Sequence, residues 1–181
     1  MRYLIVDLEA TCWRKGSTPE RMEIIEIGAV MLESAIGPIS GEFAEFVRPV
    51  RKPVLSRFCK ELTSIRQNDV DAAGEFTSVF ERFLNWVGNQ PFTWCSWGAY
   101  DLKQLRIECE RRGIAFPESF ERHINLKRAF TELQGVRPTG MNGALEMLGI
   151  PLQGTHHRGI DDARNIAKIA QIILPQIQSG I

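Results

Sequence analysis

Apolar residues fall in runs over the first fifty positions, and their pattern is typical of β-strands. The run YLIVDLEATCW at residues 3–13 begins as a buried strand. β-Branched and apolar residues dominate again in IIEIGAVMLE at residues 24–33 and in EFAEFVRP at residues 42–49. The pattern predicts three consecutive strands, and we expect them to pair antiparallel.

The remainder of the chain combines helical spacing with one further strand. Apolar residues recur at helical spacing over residues 79–87, behind a cap at Thr77 or Ser78. The segment FTWCSW at residues 92–97 predicts a strand. Further helices are predicted from about Ala99 to Arg112, over about 125–134 and 141–148, and from Gly159 until Pro175 disturbs the last one.

The order of these elements, β-β-β-α-β-α-α-α, indicates an α/β fold. A single crossover separates the first and fourth strands, so we expect a mixed sheet flanked by helices. The chain has 181 residues and 44% hydrophobic content, which is enough for one well-filled core and too little for two. We therefore predict a single domain over residues 1–181.

Charge and cysteine content narrow the functional classes. Lys plus Arg and Asp plus Glu both total 22, so no net field attracts polyanions and any affinity for nucleic acid must be local. The four cysteines lie far apart without a zinc-binding spacing, and we expect buried, reduced thiols. Since neither a signal sequence nor a membrane-length apolar run is evident, we predict a cytoplasmic protein without membrane contact.

Two carboxylates interrupt the apolar first strand. Asp7 and Glu9 are two residues apart and should lie on one face of the strand, together with Tyr3 and Ile5. An ionised carboxylate in apolar surroundings is costly unless a cation accompanies it. Two acids on one face could hold a metal ion; the alternative is a strand that simply ends, with both acids in solvent.

Two further acids are predicted to face the interior. Asp101 falls in the first turn of a helix, in line with Leu105 and Cys109 on the buried side. A charge that stabilises the helix N-terminus is the competing explanation. In the last helix Asp162 flanks the apolar stripe, whereas Asp161 lies almost opposite and should face water.

Four inward-facing acids would repel one another unless cations lay between them. Asp7, Glu9, Asp101 and Asp162 would suit two divalent ions, Mg²⁺ or Mn²⁺, and such a pair can cleave a phosphodiester. His157 precedes Asp162 in H-x4-D spacing, and a neutral imidazole there could accept the proton of an attacking water. The combination indicates a metal-dependent hydrolase of phosphodiesters.

Three motifs in this order resemble the DEDDh 3′-to-5′ exonucleases of the ribonuclease H-like superfamily: VDLEATCW, WGAYD and HRGIDDARNIA. The segments EIIEIGAV, LSRFCKELTSIRQNDVD and HHRGIDDARNIA further resemble the three-prime histone-mRNA exonuclease-like branch and its bacterial relatives. The resemblance implies a ribonuclease H-like fold with a mixed five-stranded sheet and flanking helices. It also implies metal ligation by Asp7, Glu9, Asp101 and Asp162, with His157 as general base.

The same resemblance implies a missing strand and a set of substrate contacts. We expect the strand near residues 122–125. Relatives hold the 3′-terminal nucleotide beside the regions that match Thr11, Leu62 and Tyr100, so these residues are expected to bind substrate. His156 is expected to contribute little. The branch implies the 3′ end of single-stranded RNA as substrate and nucleoside monophosphates as product.

Three alternatives stay open from the sequence. A DNA exonuclease of the proofreading type would use the same acids. A haloacid-dehalogenase-like phosphatase would require Asp in place of Glu9, together with downstream motifs that are not found here. A regulatory binding protein with this fold is the third alternative, although a pure binding module has no need of four mutually repelling acids.

Overall fold

The computed structural model describes residues 1–179, and its sheet follows the predicted strand order. Within these residues six strands lie in the order β4-β3-β2-β1-β5-β6. Their bounds are β1 Arg2–Ala10, β2 Ile24–Leu32, β3 Ile39–Arg48, β4 Gly74–Glu75, β5 Phe92–Ser96 and β6 His123–Asn125. The strand expected near residues 122–125 is β6, which pairs parallel with β5. The α/β fold with a mixed sheet is confirmed.

Strand direction accounts for the mixed sheet. Strand β1 pairs antiparallel with β2, and β2 pairs antiparallel with β3, as predicted. After the crossover, β5 pairs parallel with β1. The sheet has six strands rather than five because β4 adds two residues parallel to the edge of β3. A strand of two residues leaves no alternation of apolar and polar positions from which it could be predicted.

Seven α-helices are found among residues 1–179. Their bounds are α1 Arg57–Thr63, α2 Gln67–Asp71, α3 Phe76–Val87, α4 Tyr100–Arg111, α5 Leu126–Gln134, α6 Met141–Met147 and α7 Gly159–Ser179. The expectation that Pro175 disturbs the last helix is wrong, since α7 continues beyond it. Proline lacks a backbone N–H and its ring crowds the preceding turn, but its φ of about −65° matches helical geometry, so the backbone can stay helical through Pro175. No helix in the described part of the chain combines the length and apolar character needed to span a bilayer.

The alternation of side chains along β1 divides the apolar core between the two faces of the sheet. Leu4, Val6 and Leu8 pack on one face with residues of α3 and α4. Tyr3 and Ile5 pack on the other face with residues of α5, α6 and α7. Because the alternation continues along β1, the side chains of Asp7 and Glu9 lie on this second face, toward the start of α7.

Two glycines allow the first turn of α7 to lie directly on the sheet. Gly28 stands opposite Asp7 in the β1–β2 register, and a Cβ on Gly28 would lie only 1.9 Å from the carbonyl carbon of Gly159. A Cβ on Gly159 would lie 3.0 Å from the backbone oxygen of Asp7. Backbone therefore packs on backbone at this point, and the contact sets how far α7 stands from β1.

Candidate active site

The end of β1 supplies two of the predicted acids. Burial raises the pKa of Asp7 well above its ordinary value, and the neighbouring carboxylates of Asp101, Glu9 and Asp162 add to the effect. Burial, then the charges of Asp162, Glu26 and Asp101, raise the pKa of Glu9 to about 9. Both shifts have the sign expected for carboxylates crowded together without a cation.

Asp101 is held against β1 from the first turn of α4. Only 4% of the residue is exposed, and the backbone N–H of Leu8 donates to Asp101 Oδ1 at 3.0 Å. Burial raises the pKa of Asp101 to about 6, while hydrogen bonds from Leu8 and Ser96 oppose the shift. The predicted inward orientation of Asp101 is confirmed, together with the burial of Leu105 on the same helix face.

Asp162 approaches from the first turn of α7. It is 4% exposed, and its Oδ2 accepts a hydrogen bond from the backbone N–H of His157 at 2.9 Å. One carboxylate oxygen from each of Asp7, Glu9 and Asp162 lies within 4.8 Å of the others. Strand β1 and helix α7 thus bring together three carboxylates that are separated by up to 155 positions in the sequence, counted from 7 to 162.

The two adjacent histidines lie side by side at the same point. His157 has a φ of +63°, which is uncommon for a residue other than glycine, and its ring stacks on that of His156 with centroids 3.9 Å apart. Nδ1 of His156 lies 3.0 Å from Oδ2 of Asp162. Burial and the neighbouring imidazole lower the pKa of His157, and the charge of Asp162 opposes them. His156 therefore contacts a predicted metal ligand directly, which the sequence analysis did not anticipate.

Asp161 is not simply solvent-facing, contrary to the expectation from helix phase. Its Oδ2 accepts a hydrogen bond from the backbone N–H of Thr155 at 2.9 Å, and its Oδ1 accepts one from Arg164 Nη1 at 3.1 Å. The side chain is 21% exposed. Asp161 is thus bound to the loop before the two histidines and is not among the carboxylates that lie within 4.8 Å of one another.

The four acids fit divalent metal ions. Their donors are carboxylate oxygens, which Mg²⁺ and Mn²⁺ prefer. Three of them are close enough to share an ion, and the raised pKa values of Asp7 and Glu9 record a repulsion that a bound cation would relieve. The arrangement of these acids therefore fits a divalent-metal site.

A cleft of about 340 Å³ opens over these acids. Of the expected substrate contacts, Leu62 and Tyr100 line it. Thr11 is not among the described residues that line it: Thr11 is buried, and its Oγ1 accepts a hydrogen bond from the backbone N–H of Glu23 at 3.0 Å. The other residues that line the cleft were not predicted as site residues from the sequence: Leu8, Ala10, Cys12, Met22, Trp97, Gly140, Met141 and His156. Since apolar residues at these positions are equally typical of a core, only the fold could assign them to a cleft.

Comparison with known proteins extends these observations. The sequence model described as Exonuclease (RNase_T) matches residues 4–170. The chain is 36% identical to ERI1 exoribonuclease 2 of Danio rerio, over 93% of this chain and 34% of that protein. It is 34% identical to 3′-5′ exoribonuclease 1 of Homo sapiens, over 92% of this chain and 50% of that protein. The chain thus spans a third to a half of the length of these two relatives.

Solved structures agree with the sequence comparison. The nuclease domain of 3′hExo, a DEDDh family member bound to rAMP, superposes with a TM-score of 0.89 at 33% identity, over 97% of this chain and 92% of that one. E. coli exonuclease I in complex with a dT13 oligonucleotide gives a TM-score of 0.77 at 14% identity, over 98% of this chain and 42% of that one. The second likeness shows the fold alone.

Proposed function

Because the chain belongs to the exonuclease family whose sequence model matches residues 4–170, and to its DEDDh, ribonuclease H-like branch, we propose that it removes nucleotides from the 3′ end of single-stranded RNA. The products are nucleoside monophosphates. The observation that carries the proposal is the meeting of Asp7, Glu9 and Asp162 within 4.8 Å, beside His157 and at the floor of an open cleft.

The acids and the histidine take separate roles in this proposal. Asp7, Glu9, Asp101 and Asp162 hold two divalent ions, Mg²⁺ or Mn²⁺. When bound, the ions supply positive charge for the scissile phosphate and lower the pKa of water. The Leu8 N–H keeps Asp101 in place, and a ring nitrogen of His157 accepts the proton of the attacking water. Burial lowers the pKa of His157, which favours the neutral imidazole that can accept that proton.

Substrate selection follows from the shape of the cleft and from the relatives. A volume of about 340 Å³ suits a terminal nucleotide better than a duplex end. Leu62 and Tyr100 line this space and pack against the terminal sugar and base. The relatives named above are exoribonucleases, and the 3′hExo nuclease domain was solved with rAMP bound. These names favour RNA over DNA.

The proposal includes a single-domain organisation and a cytoplasmic location. Residues 1–181 act as one nuclease domain. All four cysteines are free and buried, as expected, which favours a reducing compartment such as the cytoplasm.

Labelled oligonucleotides test the proposed activity. Purified protein is incubated with 3′-labelled and 5′-labelled single-stranded RNA, and with DNA of the same sequence, in Mg²⁺, Mn²⁺ or chelator. We expect metal-dependent release of labelled monophosphate from the 3′-labelled RNA and a ladder of shortened fragments from the 5′-labelled RNA. Internal cleavage, or full activity in chelator, would refute the proposal. Faster degradation of DNA than of RNA would assign the site to the DNA exonuclease alternative.

A further inference from the structure

We propose that His156, His157 and Asp162 form a second binding site, which overlaps the acid cluster at Asp162, for borderline transition-metal ions such as Zn²⁺. We further propose that such an ion inhibits the nuclease when it binds there. The binding stands on geometry alone, whereas the inhibition rests on the proposed function.

The three side chains place their donor atoms close together. A ring nitrogen of each histidine and a carboxylate oxygen of Asp162 all lie within 4.8 Å of one another. His156 Nδ1 is 3.0 Å from Asp162 Oδ2 and 3.2 Å from Oδ1. An ion that bridges His156 Nδ1 and a carboxylate oxygen of Asp162 would therefore have two adjacent donors.

The backbone holds the two imidazoles together. In an extended segment the side chains of adjacent residues point in opposite directions. The left-handed conformation of His157, with φ of +63°, removes that alternation and stacks the two rings with an interplanar angle of 20°. The backbone N–H of His157 donates to Asp162 Oδ2 at 2.9 Å, which locks the turn to the third donor. A strained conformation of this kind persists only where the surroundings enforce it.

The donor types decide which ions this site takes. Two imidazole nitrogens and one carboxylate oxygen form a set that Zn²⁺ accepts, with a fourth position left for water. Mg²⁺ prefers oxygen donors alone, so it belongs with Asp7 and Glu9 rather than with the histidines. The side chain of His156 is 40% exposed, so an ion can reach the site from solvent.

Asp162 belongs to both donor sets, and this sharing gives the site its effect. An ion between the histidines and Asp162 withdraws one carboxylate from the four-acid cluster. It also occupies a ring nitrogen of His157, which then cannot accept a proton. Zn²⁺ should therefore inhibit in the presence of saturating Mg²⁺, and the inhibition should depend on His156.

Direct metal binding tests the site without reference to activity. Zn²⁺ affinity is measured by competition with a chromogenic chelator in saturating Mg²⁺, for the wild type, His156→Ala and Asp7→Asn. Loss of a metal ligand should weaken Zn²⁺ binding by about tenfold or more, since even residues that only support ligands contribute that much. Asp7→Asn is the control: it should not weaken Zn²⁺ binding, because Asp7 is not one of the three donors and weaker Mg²⁺ binding by the acids leaves Asp162 more available to Zn²⁺. Equal affinity of His156→Ala and wild type, or a loss that follows Asp7 instead, would overturn the site.

A spectroscopic measurement identifies the ligands. Cu²⁺ serves as the probe, and nitrogen hyperfine structure in its paramagnetic resonance spectrum counts the coordinated imidazoles. We expect two in the wild type and one in His156→Ala; a wild-type spectrum without imidazole nitrogen would overturn the assignment. RNA cleavage by each variant in Mg²⁺ alone serves as its own reference rate. Relative to that rate, Zn²⁺ should inhibit His156→Ala less than it inhibits the wild type. If the RNA assay shows no nuclease activity, the proposed function fails, while the binding measurements still decide the site.

Discussion

Arg158 and Glu26 form a bidentate ion pair directly behind the candidate active site. Arg158 Nε donates to Glu26 Oε2 and Arg158 Nη2 donates to Glu26 Oε1, both at 3.1 Å. The backbone N–H of Gly159 also donates to Glu26 Oε2, at 3.0 Å. Glu26 stands opposite Glu9 in the β1–β2 register. One buried carboxylate therefore ties the start of α7 to the strand pair that carries Asp7 and Glu9.

Removal of Arg158 should destabilise the protein. The side chain of Glu26 is 2% exposed and that of Arg158 is 27% exposed, so Arg158→Met leaves a buried charge without its partner. Removal of one partner of a buried ion pair lowers the free energy of unfolding by about 3 to 5 kcal/mol. Because Arg158 is partly exposed, we expect a loss of about 3 kcal/mol. Urea denaturation in chelator measures the change.

The double variant Glu26→Gln with Arg158→Met provides the control for this prediction. Because no uncompensated charge remains, it should be more stable than Arg158→Met alone. If the unfolding free energies lost in the two single variants add up to the loss in the double variant, the two side chains do not interact energetically and this prediction is wrong.

The contact between Gly28 and Gly159 predicts a second sensitive position. In Gly28→Ala the new methyl group would overlap the backbone of α7, and the helix must move away from β1. We expect a loss of at least about 3 kcal/mol in the free energy of unfolding, which is the upper end of the usual range for overpacked sites. Addition of Mn²⁺ should also raise the melting temperature less than it does in the wild type. Gly41→Ala in β3 is the matched control, because its Cβ would meet Trp86 at an ordinary 3.5 Å. Similar losses in both variants would contradict the close-packing argument.

The adjacent aspartates Asp161 and Asp162 should differ sharply in function. Asp162→Asn should abolish RNA cleavage and reduce the melting shift caused by Mn²⁺, because Asp162 belongs to the acid cluster. Asp161→Asn should keep most activity, since the amide oxygen of Asn can still accept the hydrogen bond from Thr155. Initial rates at saturating Mn²⁺ measure the difference. An inactive Asp161→Asn beside an active Asp162→Asn would show that the wrong acid has been placed in the site.

Crowding of the acids predicts an unusual dependence of stability on pH when no metal is bound. The pKa of Glu9 is raised from 4.5 to about 9, and that of Asp7 is raised as well. Between pH 4.5 and about pH 9 the folded protein keeps a proton on Glu9 that the unfolded chain has released. The contribution of these two acids to stability is therefore greatest at low pH and falls as pH rises toward 9. Each group contributes at most about 1.4 kcal/mol per pH unit.

Melting temperatures in chelator, recorded from about pH 5 to pH 9, test this trend. Saturating Mn²⁺ should raise stability most at high pH, where the acids are ionised and free to bind it. Asp7→Asn should flatten the slope in chelator, because one repelling carboxylate is removed. A wild-type protein in chelator whose stability rises from about pH 7 to pH 9, above the range in which histidines titrate, would contradict the crowding of the acids.

Much of the fold follows from patterns within single elements. Alternation along β1 and the helical phase around Asp101 and Asp162 placed these acids correctly. The five residues expected to carry the chemistry converge because each lies at the end of a strand or in or near the first turn of a helix, positions that sequence patterns identify well.

Features that depend on contacts between distant segments could not be predicted in this way. His156 reaches Asp162 only because His157 adopts a left-handed backbone, and no apolar pattern signals that conformation. Thr11 was predicted to contact substrate, but its hydroxyl oxygen accepts a hydrogen bond from the backbone N–H of Glu23. The ion pair of Glu26 with Arg158 spans 132 positions. Such contacts are set by packing between elements rather than within them.

Single-turnover cleavage of 3′-labelled single-stranded RNA by wild type and His157→Ala is the most direct measurement of the proposed chemistry. At saturating Mn²⁺ we expect His157→Ala to release the terminal nucleotide about two to four orders of magnitude more slowly, as for loss of a general base. The Mn²⁺-induced rise in melting temperature should be retained, because the four acids remain. A His157→Ala protein that cleaves at the wild-type rate while it still binds Mn²⁺ would contradict the assignment of His157 as the base.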